Sequence, residues 1–203
     1  MNIEIKISKH KIPYKTAIKI LQKRVEDIKA GKGCDLLWIL EHPLTYTAGI
    51  RSNKSDVLDK KLEIIKTERG GKITLHNPGQ KIIYFVLNLN KRKKDIRKLI
   101  NTIEKCIIEF LKIYNINGKK DKNNIGIWVG NKKIAAIGLR VSKWVAYHGC
   151  SININNNLED YLKIIPCGLN NKKVTSIFNE KKKQIKDINK NLSDIFIKNI
   201  NNI

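Results

Sequence analysis

The chain has 203 residues, enough for one sizeable core and short for two, and 41% of them are hydrophobic, which excludes a disordered chain. Its formal charge of +23 comes from lysines spread end to end among abundant Ile and Asn, with aromatics at only 6%. Nucleic-acid binders more often concentrate Arg and Lys on one element and interleave stacking aromatics, so this pattern reads as compositional drift and argues against nucleic acid as the main partner. A nucleic-acid-binding module is kept as a third alternative.

The opening MNIEIKISKH lacks the apolar core and cleavage site of a signal peptide. No apolar run approaches the roughly 20 residues of a membrane helix. Four cysteines (Cys34, Cys106, Cys150, Cys167) stand without a CxxC spacing, which argues against zinc ligation and disulfides. The expectation is a single domain over 1–203, a cytoplasmic monomer with no metal.

In chain order, residues 2–7 alternate as a strand with Ile3, Ile5 and Ile7 on one face. From Pro13, Ala17, Ile18, Leu21, Val25 and Ile28 keep helical spacing, and Gly31 and Gly33 stop it. Leu36 to Leu40 reads as a buried strand leading into EHPLTYTAG, a loop punctuated by Pro43 and Gly49. Residues 51–62 read as a charged surface loop with a helical turn, and Ile64-Ile65 as a strand delivering RGGKITLHNPGQ at 69–80. KIIYFVLNL is a central strand. Between Asp95 and Tyr114 the i, i+3, i+4 spacing predicts the clearest helix, with Cys106 packed on its apolar face.

Three strand-like runs follow at 125–129, 132–141 and 143–154, the first two joined at Gly130-Asn131. A short helix, IIPCGL and a docking helix at about 181–201 complete the chain. Strands joined by hairpins rather than by regular βαβ units indicate an α+β (mixed α/β) fold.

Several residues have the types that chemistry needs. Gly70-Gly71 permits close backbone approach to a ligand, with Arg69 and His76 beside it to hold polar groups; an ordinary turn is the alternative. Pro166 and Gly168 bracket Cys167 in a bend that can present a thiol, whose reactivity depends on its thiolate fraction. Lys133 opens the apolar run Ile134–Gly138, where desolvation suits an amine to proton transfer. In a chain this rich in lysine, a solvated amine is the bland reading. His148 is a candidate general base for a cysteine, which leaves a Cys–His thioester hydrolase open. Cys150 sits at a strand position that favours packing over chemistry.

Four separated stretches stand together in order: EHPLTYTAG, RGGKITLHNPGQ, GIWVGNKKIAAIGLRVSKWVAYHGCSINI and IIPCGL…VTSI. The chain thereby resembles the lipoyl/octanoyl transferase family over about residues 1–180. That resemblance implies a mixed sheet flanked by helices, as in the catalytic domain of biotin and lipoate protein ligases. It implies an acyl-thioester cysteine at Cys167, an activating lysine at Lys133, and substrate contacts at Arg69, Gly70, Gly71, Lys72, Ile73, Thr74, Leu75 and His76. Further contacts carry over to Ala136, Ile137 and Gly138, and to Gly149, Cys150 and Ser151. Asn77 and Cys150 depart from the residues many relatives carry at those places.

The implied reaction moves an octanoyl or lipoyl group from acyl carrier protein to a lysine of a lipoyl domain, with no cofactor. The implied acceptors are 2-oxoacid dehydrogenases and the H-type protein of glycine cleavage. An ATP-dependent lipoate or biotin ligase is the nearest alternative, since the fold is shared.

Overall fold

A computed structural model describes residues 2–121, 124–165 and 173–203. Among these, the strands form two sheets. The larger takes, in spatial order, β1 (Ile3–Ile7), β2 (Asp35–Leu40), β6 (Gln80–Asn88), β10 (Val145–Asn153), β9 (Lys132–Ser142), β8 (Ile127–Val129) and β7 (Lys119–Lys120). A short β11 (Lys173–Val174) lies parallel to the start of β9. The smaller sheet is β4 (Ile64–Lys66), β3 (Thr45–Ala48) and β5 (Ile73–His76).

Period-two alternation sorts the central strands onto two faces. Leu36, Trp38 and Leu40, Ile82, Tyr84 and Val86, and Val145 and Tyr147 meet α1 (Tyr14–Lys29) through Ala17, Leu21, Val25 and Ile28. The intervening Leu37 and Ile39, Ile83, Phe85 and Leu87, and Ala146, Cys150 and Ile152 face the other way. There they meet Leu99, Ile103, Cys106 and Phe110 of α2 (Ile96–Ile113) and Leu192, Phe196 and Ile200 of α4 (Ile188–Ile200). Both strand faces are apolar because both are covered. Helix α2 starts where Asp95 accepts a hydrogen bond from the Lys98 N–H at 2.9 Å, an N-cap of the usual kind.

The α+β architecture with a mixed sheet and flanking helices stands as expected, and four details of the sequence reading are revised. EHPLTYTAG is not all loop: Thr45–Ala48 forms the central strand of the small sheet, with Tyr46 and Leu75 in its core. Ile5 and Ile7 are half-exposed, because β1 is an edge strand and only Ile3 of its isoleucines packs against the core beneath α4. Residues 177–181 form a separate short helix, α3 (Ile177–Lys181), and α4 begins only at Ile188. Lys143 and Trp144, both at positive φ, turn β9 into β10 as a two-residue hairpin loop, a task more often given to Asn-Gly.

Candidate functional site

The RGG stretch and the Ile134–Gly138 strand meet backbone to backbone. The Gly70 N–H donates to the Leu139 carbonyl at 3.0 Å. A Cβ on Gly70 would lie 2.9 Å from that oxygen, and one on Gly138 would lie 3.3 Å from the Gly70 oxygen. Glycine at both positions is therefore what allows the loop to lie on the strand. Gly71, at φ +93, turns the chain away again.

Behind this loop, on the α1 side of the sheet, is a pocket of about 500 Å³ counting its open mouth. Its lining includes Arg69–Lys72, Thr74, His76, Ala136–Gly138 and His148–Ser151, so the segments picked out in the sequence converge on one space. Ile73 and Leu75 are the exceptions. Strand alternation turns them into the small sheet's own core with Tyr46, Tyr161 and Ile164. Cys150 lies at the pocket's edge, but its side chain belongs to the α2-side core, where burial pushes its thiol well above the usual range. Cys106 is a core thiol, pushed up to about 12 by burial.

Arg69 is not an open anion hook. It is 8% exposed, and its guanidinium donates to the Thr47 carbonyl (2.8 Å), the Thr47 hydroxyl (2.9 Å) and the Gly70 carbonyl (3.1 Å). It thus clamps the small sheet to the glycine loop and sets a positive charge beneath the pocket.

Sequence reasoning missed the aromatic wall. Tyr14, Ile82 and Tyr84 line the pocket, and His42 stands behind them. Ile82 and Tyr84 share one face of KIIYFVLNL, and Tyr14 opens the apolar stripe of α1, so periodicity marks all three only as core. His42 Nδ1–H donates to the Ile12 carbonyl, and His42 Nε2 accepts from the Tyr84 hydroxyl at 2.9 Å. His76 stacks on Tyr14, with ring centroids 5.8 Å apart. Burial lowers the pKa of His42 to about 4, His76 to about 3 and His148 to about 4, so all three are neutral at pH 7.

His148 is strained. Its φ of +68 in mid-strand takes its ring out of the alternation, so that it stacks on Tyr147 and meets Tyr84 edge-on. Such a conformation costs roughly 1–3 kcal/mol and persists only where the surroundings hold it. Gly149 follows because any Cβ there would lie 1.9 Å from the Ile83 oxygen. Nδ1 of His148 is buried with no hydrogen-bond partner among the described residues.

A hydrogen-bonded chain ties this wall to Lys133. His76 Nδ1–H donates to Gln80 Oε1 (2.8 Å), Gln80 Nε2 to Asn153 Oδ1 (2.9 Å), and Asn153 Nδ2 to the Thr175 carbonyl (2.9 Å). The Thr175 N–H then donates to the Lys133 carbonyl at 2.9 Å. Lys133 itself is 7% exposed, far from the solvated amine of the bland reading. Its Nζ lies 5.3 Å from the centre of the Trp128 ring. Room for the side chain comes from Gly126, at φ +131, where a Cβ would lie 2.5 Å from Lys133 Cε. Neighbouring Lys132 instead pairs with Glu180 at 2.8 Å near the surface.

Lys133 lines a narrow cleft with Thr74, Ala136, Ser151, Asn153, Tyr161 and Val174. Thr74, Ala136 and Ser151 also line the main pocket, so the two spaces adjoin. Cys167 lies outside the described residues. The described chain on either side ends beside this cleft: Ile164 packs with Tyr161 and Val174, the Ile165 N–H donates to the Asp56 carbonyl, and Val174 is in register with Lys133.

Asn77 is 1% exposed and fully used. It donates to the Asn157 carbonyl (2.8 Å) and Asp160 (3.0 Å) and accepts from Asn156 (2.9 Å). Among the described residues, no group of three His, Cys, Asp or Glu side chains is placed to hold a metal, and no helix is long and apolar enough to cross a membrane.

A model of the lipoyl protein ligase A/B catalytic domain family matches residues 13–197. An octanoyltransferase of Bartonella tribocorum is 43% identical over 191 residues, spanning 87% of this chain and 78% of that one. One from Wolbachia sp. subsp. Brugia malayi is 46% identical over 180 residues, spanning 86% and 88%. Among solved structures, the bipartite lipoate protein ligase of Thermoplasma acidophilum superposes with a TM-score of 0.75 at 16% identity, covering 99% of this chain and 84% of its own. The biotin protein ligase of Aquifex aeolicus with biotin and ATP gives 0.56 at 15% identity, covering 98% and 70%. At these identities the structural likenesses show the fold alone.

Proposed function

This chain belongs to the lipoyl protein ligase A/B catalytic domain family, and from that premise we propose that it is an acyltransferase that places an octanoyl group on lipoyl-domain lysines, the first step of protein lipoylation. The donor is octanoyl-acyl carrier protein and the enzyme is cytoplasmic. The octanoyl group rests in between as a thioester on Cys167. The observation that carries this reading is Lys133: an amine buried beside an apolar pocket, seated by Gly126 and tied by backbone to the strand that follows the Cys167 segment.

Lys133 takes the proton of Cys167, and the thiolate attacks the donor's thioester carbonyl. When the tetrahedral intermediate collapses, the C–S bond to the donor breaks and Lys133 returns the proton to the departing thiolate. The acceptor lysine amine then attacks the acyl-Cys167 carbonyl. Its proton passes to Lys133 as the Cys167 thiolate leaves, and an amide remains. The acyl group arrives activated, so no nucleotide is consumed.

The pocket behind the glycine loop takes the alkyl tail. Burying a tail of this length is worth roughly 0.8 kcal/mol per methylene, enough for a length preference but not an absolute limit. Thr74, His76 and His148 place polar atoms among its apolar walls.

The ligase reading is tested by omitting ATP. Octanoyl-carrier protein and a lipoyl domain are mixed with the enzyme in nucleotide-free buffer, and the acceptor's mass is followed. The expected result is one octanoyl mass on the acceptor at an ATP-independent rate. Transfer from free octanoate with ATP, and none from the thioester, would overturn the reading in favour of a ligase.

A further inference from the structure

A second groove lies outside the wall that Gly70 and Gly138 make. Its floor is apolar, from Ile96 and Ile100 of α2 and Leu139 of β9, and its inner end is Lys133. Lys133 therefore borders two spaces, this groove and the narrow cleft that opens into the main pocket. If the tail of the acyl group occupies the main pocket, the groove is a separate way in to the same amine.

The rim of the groove is cationic. Arg51 is exposed at its edge, and Lys72 beside it is shared with Asp56 at 3.8 Å. Around Ile96, at the start of α2, Lys93, Lys94 and Arg97 are exposed. Ile96 and Ile125, which also line the groove, are 39% and 48% exposed, an uncovered apolar strip ringed by positive charge.

The geometry points to this groove as the seat of the donor's prosthetic arm: a flexible thiol-bearing chain with an anionic phosphodiester at its far end and the reacting thioester at its tip. The inference rests on the acyl-transfer reading above and deepens it. The phosphodiester meets Arg51 and the α2 cations at the mouth. The uncharged arm lies on Ile96, Ile100 and Leu139, and the thioester reaches Lys133. The acceptor's lysine side chain ends in a cation, which this rim repels, so charge favours the donor's arm here.

The test measures dissociation constants for carrier protein with its arm (holo) and without it (apo). The wild type is expected to prefer the holo form by about tenfold. An Arg51→Glu plus Arg97→Glu variant should bind holo carrier no better than apo carrier. A control with the same charge change on exposed α1 positions, Lys19→Glu plus Lys23→Glu, should keep the preference. Ile100→Trp, which fills the groove without altering charge, should also abolish it, and circular dichroism checks that each variant is folded.

An Arg51/Arg97 variant that retains the preference would overturn the assignment, as would a control pair that loses it equally. So would variants whose only change is weaker binding of the lipoyl domain. Normal octanoyl transfer by a wild type that shows no preference for the arm would remove the groove and leave the acyl-transfer reading standing. Absence of transfer from the thioester would remove that reading instead.

Discussion

Lys133 shows how a residue of the commonest type in the chain becomes distinctive. Nothing separates it from Lys132 in composition, yet one is 7% exposed beside Trp128 and the other reaches Glu180 near the surface. The difference rests on Gly126, whose missing Cβ gives Lys133 its channel and whose φ of +131 only glycine adopts readily. Gly126→Ala should therefore cost about 1–3 kcal/mol of stability and cut octanoyl transfer at least about tenfold by displacing the amine. Gly130→Ala is the matched control: it is also at positive φ (+58) but has nothing within 4 Å of a new Cβ. It should cost roughly 1–2 kcal/mol and leave transfer unchanged. Urea midpoints and initial rates of both variants make the comparison, and equal loss of activity in the two would deny Gly126 its role.

At the scale of elements, the sequence was most legible where burial imposes a period. Helices α1 and α2 announce themselves by i, i+3, i+4 spacing, and β2 and β6 by unbroken apolar runs that two covered faces require. Strand β3 was hidden because Pro43 and Gly49 bracket it and only Tyr46 of its four residues carries a large apolar side chain. The glycine loop and the Ile134–Gly138 strand were readable as candidates from their motifs. Their meeting at Gly70 and Leu139 was not, because it is a backbone contact between distant segments. The aromatic wall of Tyr14, His42 and Tyr84 was invisible for a similar reason: each residue looks like core until tertiary structure assembles them.

Helix α4 was legible as an apolar stripe, and its packing can be weighed. Leu192, Phe196 and Ile200 are fully buried against α2 and the sheet. Phe196→Ala should destabilise the protein by about 3–5 kcal/mol, read from the shift in denaturant midpoint. A shift below about 1 kcal/mol would mean that the helix is only loosely docked.

For the molecule as a whole, three neutral histidines buried around one pocket couple the fold to pH. His42, His76 and His148 are lowered from 6.5 to about 4, 3 and 4, and unfolding returns each toward 6.5. The unfolded chain therefore binds more protons below about pH 6.5, and stability that is complete above that value is lost as pH falls toward 4. The slope is at most on the order of 1.4 kcal/mol per pH unit for each histidine. Thermal midpoints that fall steadily between pH 6.5 and 4.5 are expected, and a flat profile across that window would contradict the burial of charge-free imidazoles. On the proposed reading, the net charge of +23 would act on the same scale, drawing the acidic carrier protein to the enzyme in a salt-dependent way.

On the proposed mechanism the octanoyl group rests on Cys167 with Lys133 as its proton carrier. The most direct test is the intact mass of the enzyme after incubation with octanoyl-carrier protein alone, with Cys167→Ser and Lys133→Ala run beside it. A hydroxylamine-sensitive adduct of one octanoyl group, absent in Cys167→Ser and slow to form in Lys133→Ala, is the predicted result. A folded wild-type enzyme that forms no adduct, or an adduct that survives Cys167→Ser, would remove Cys167 as the nucleophile.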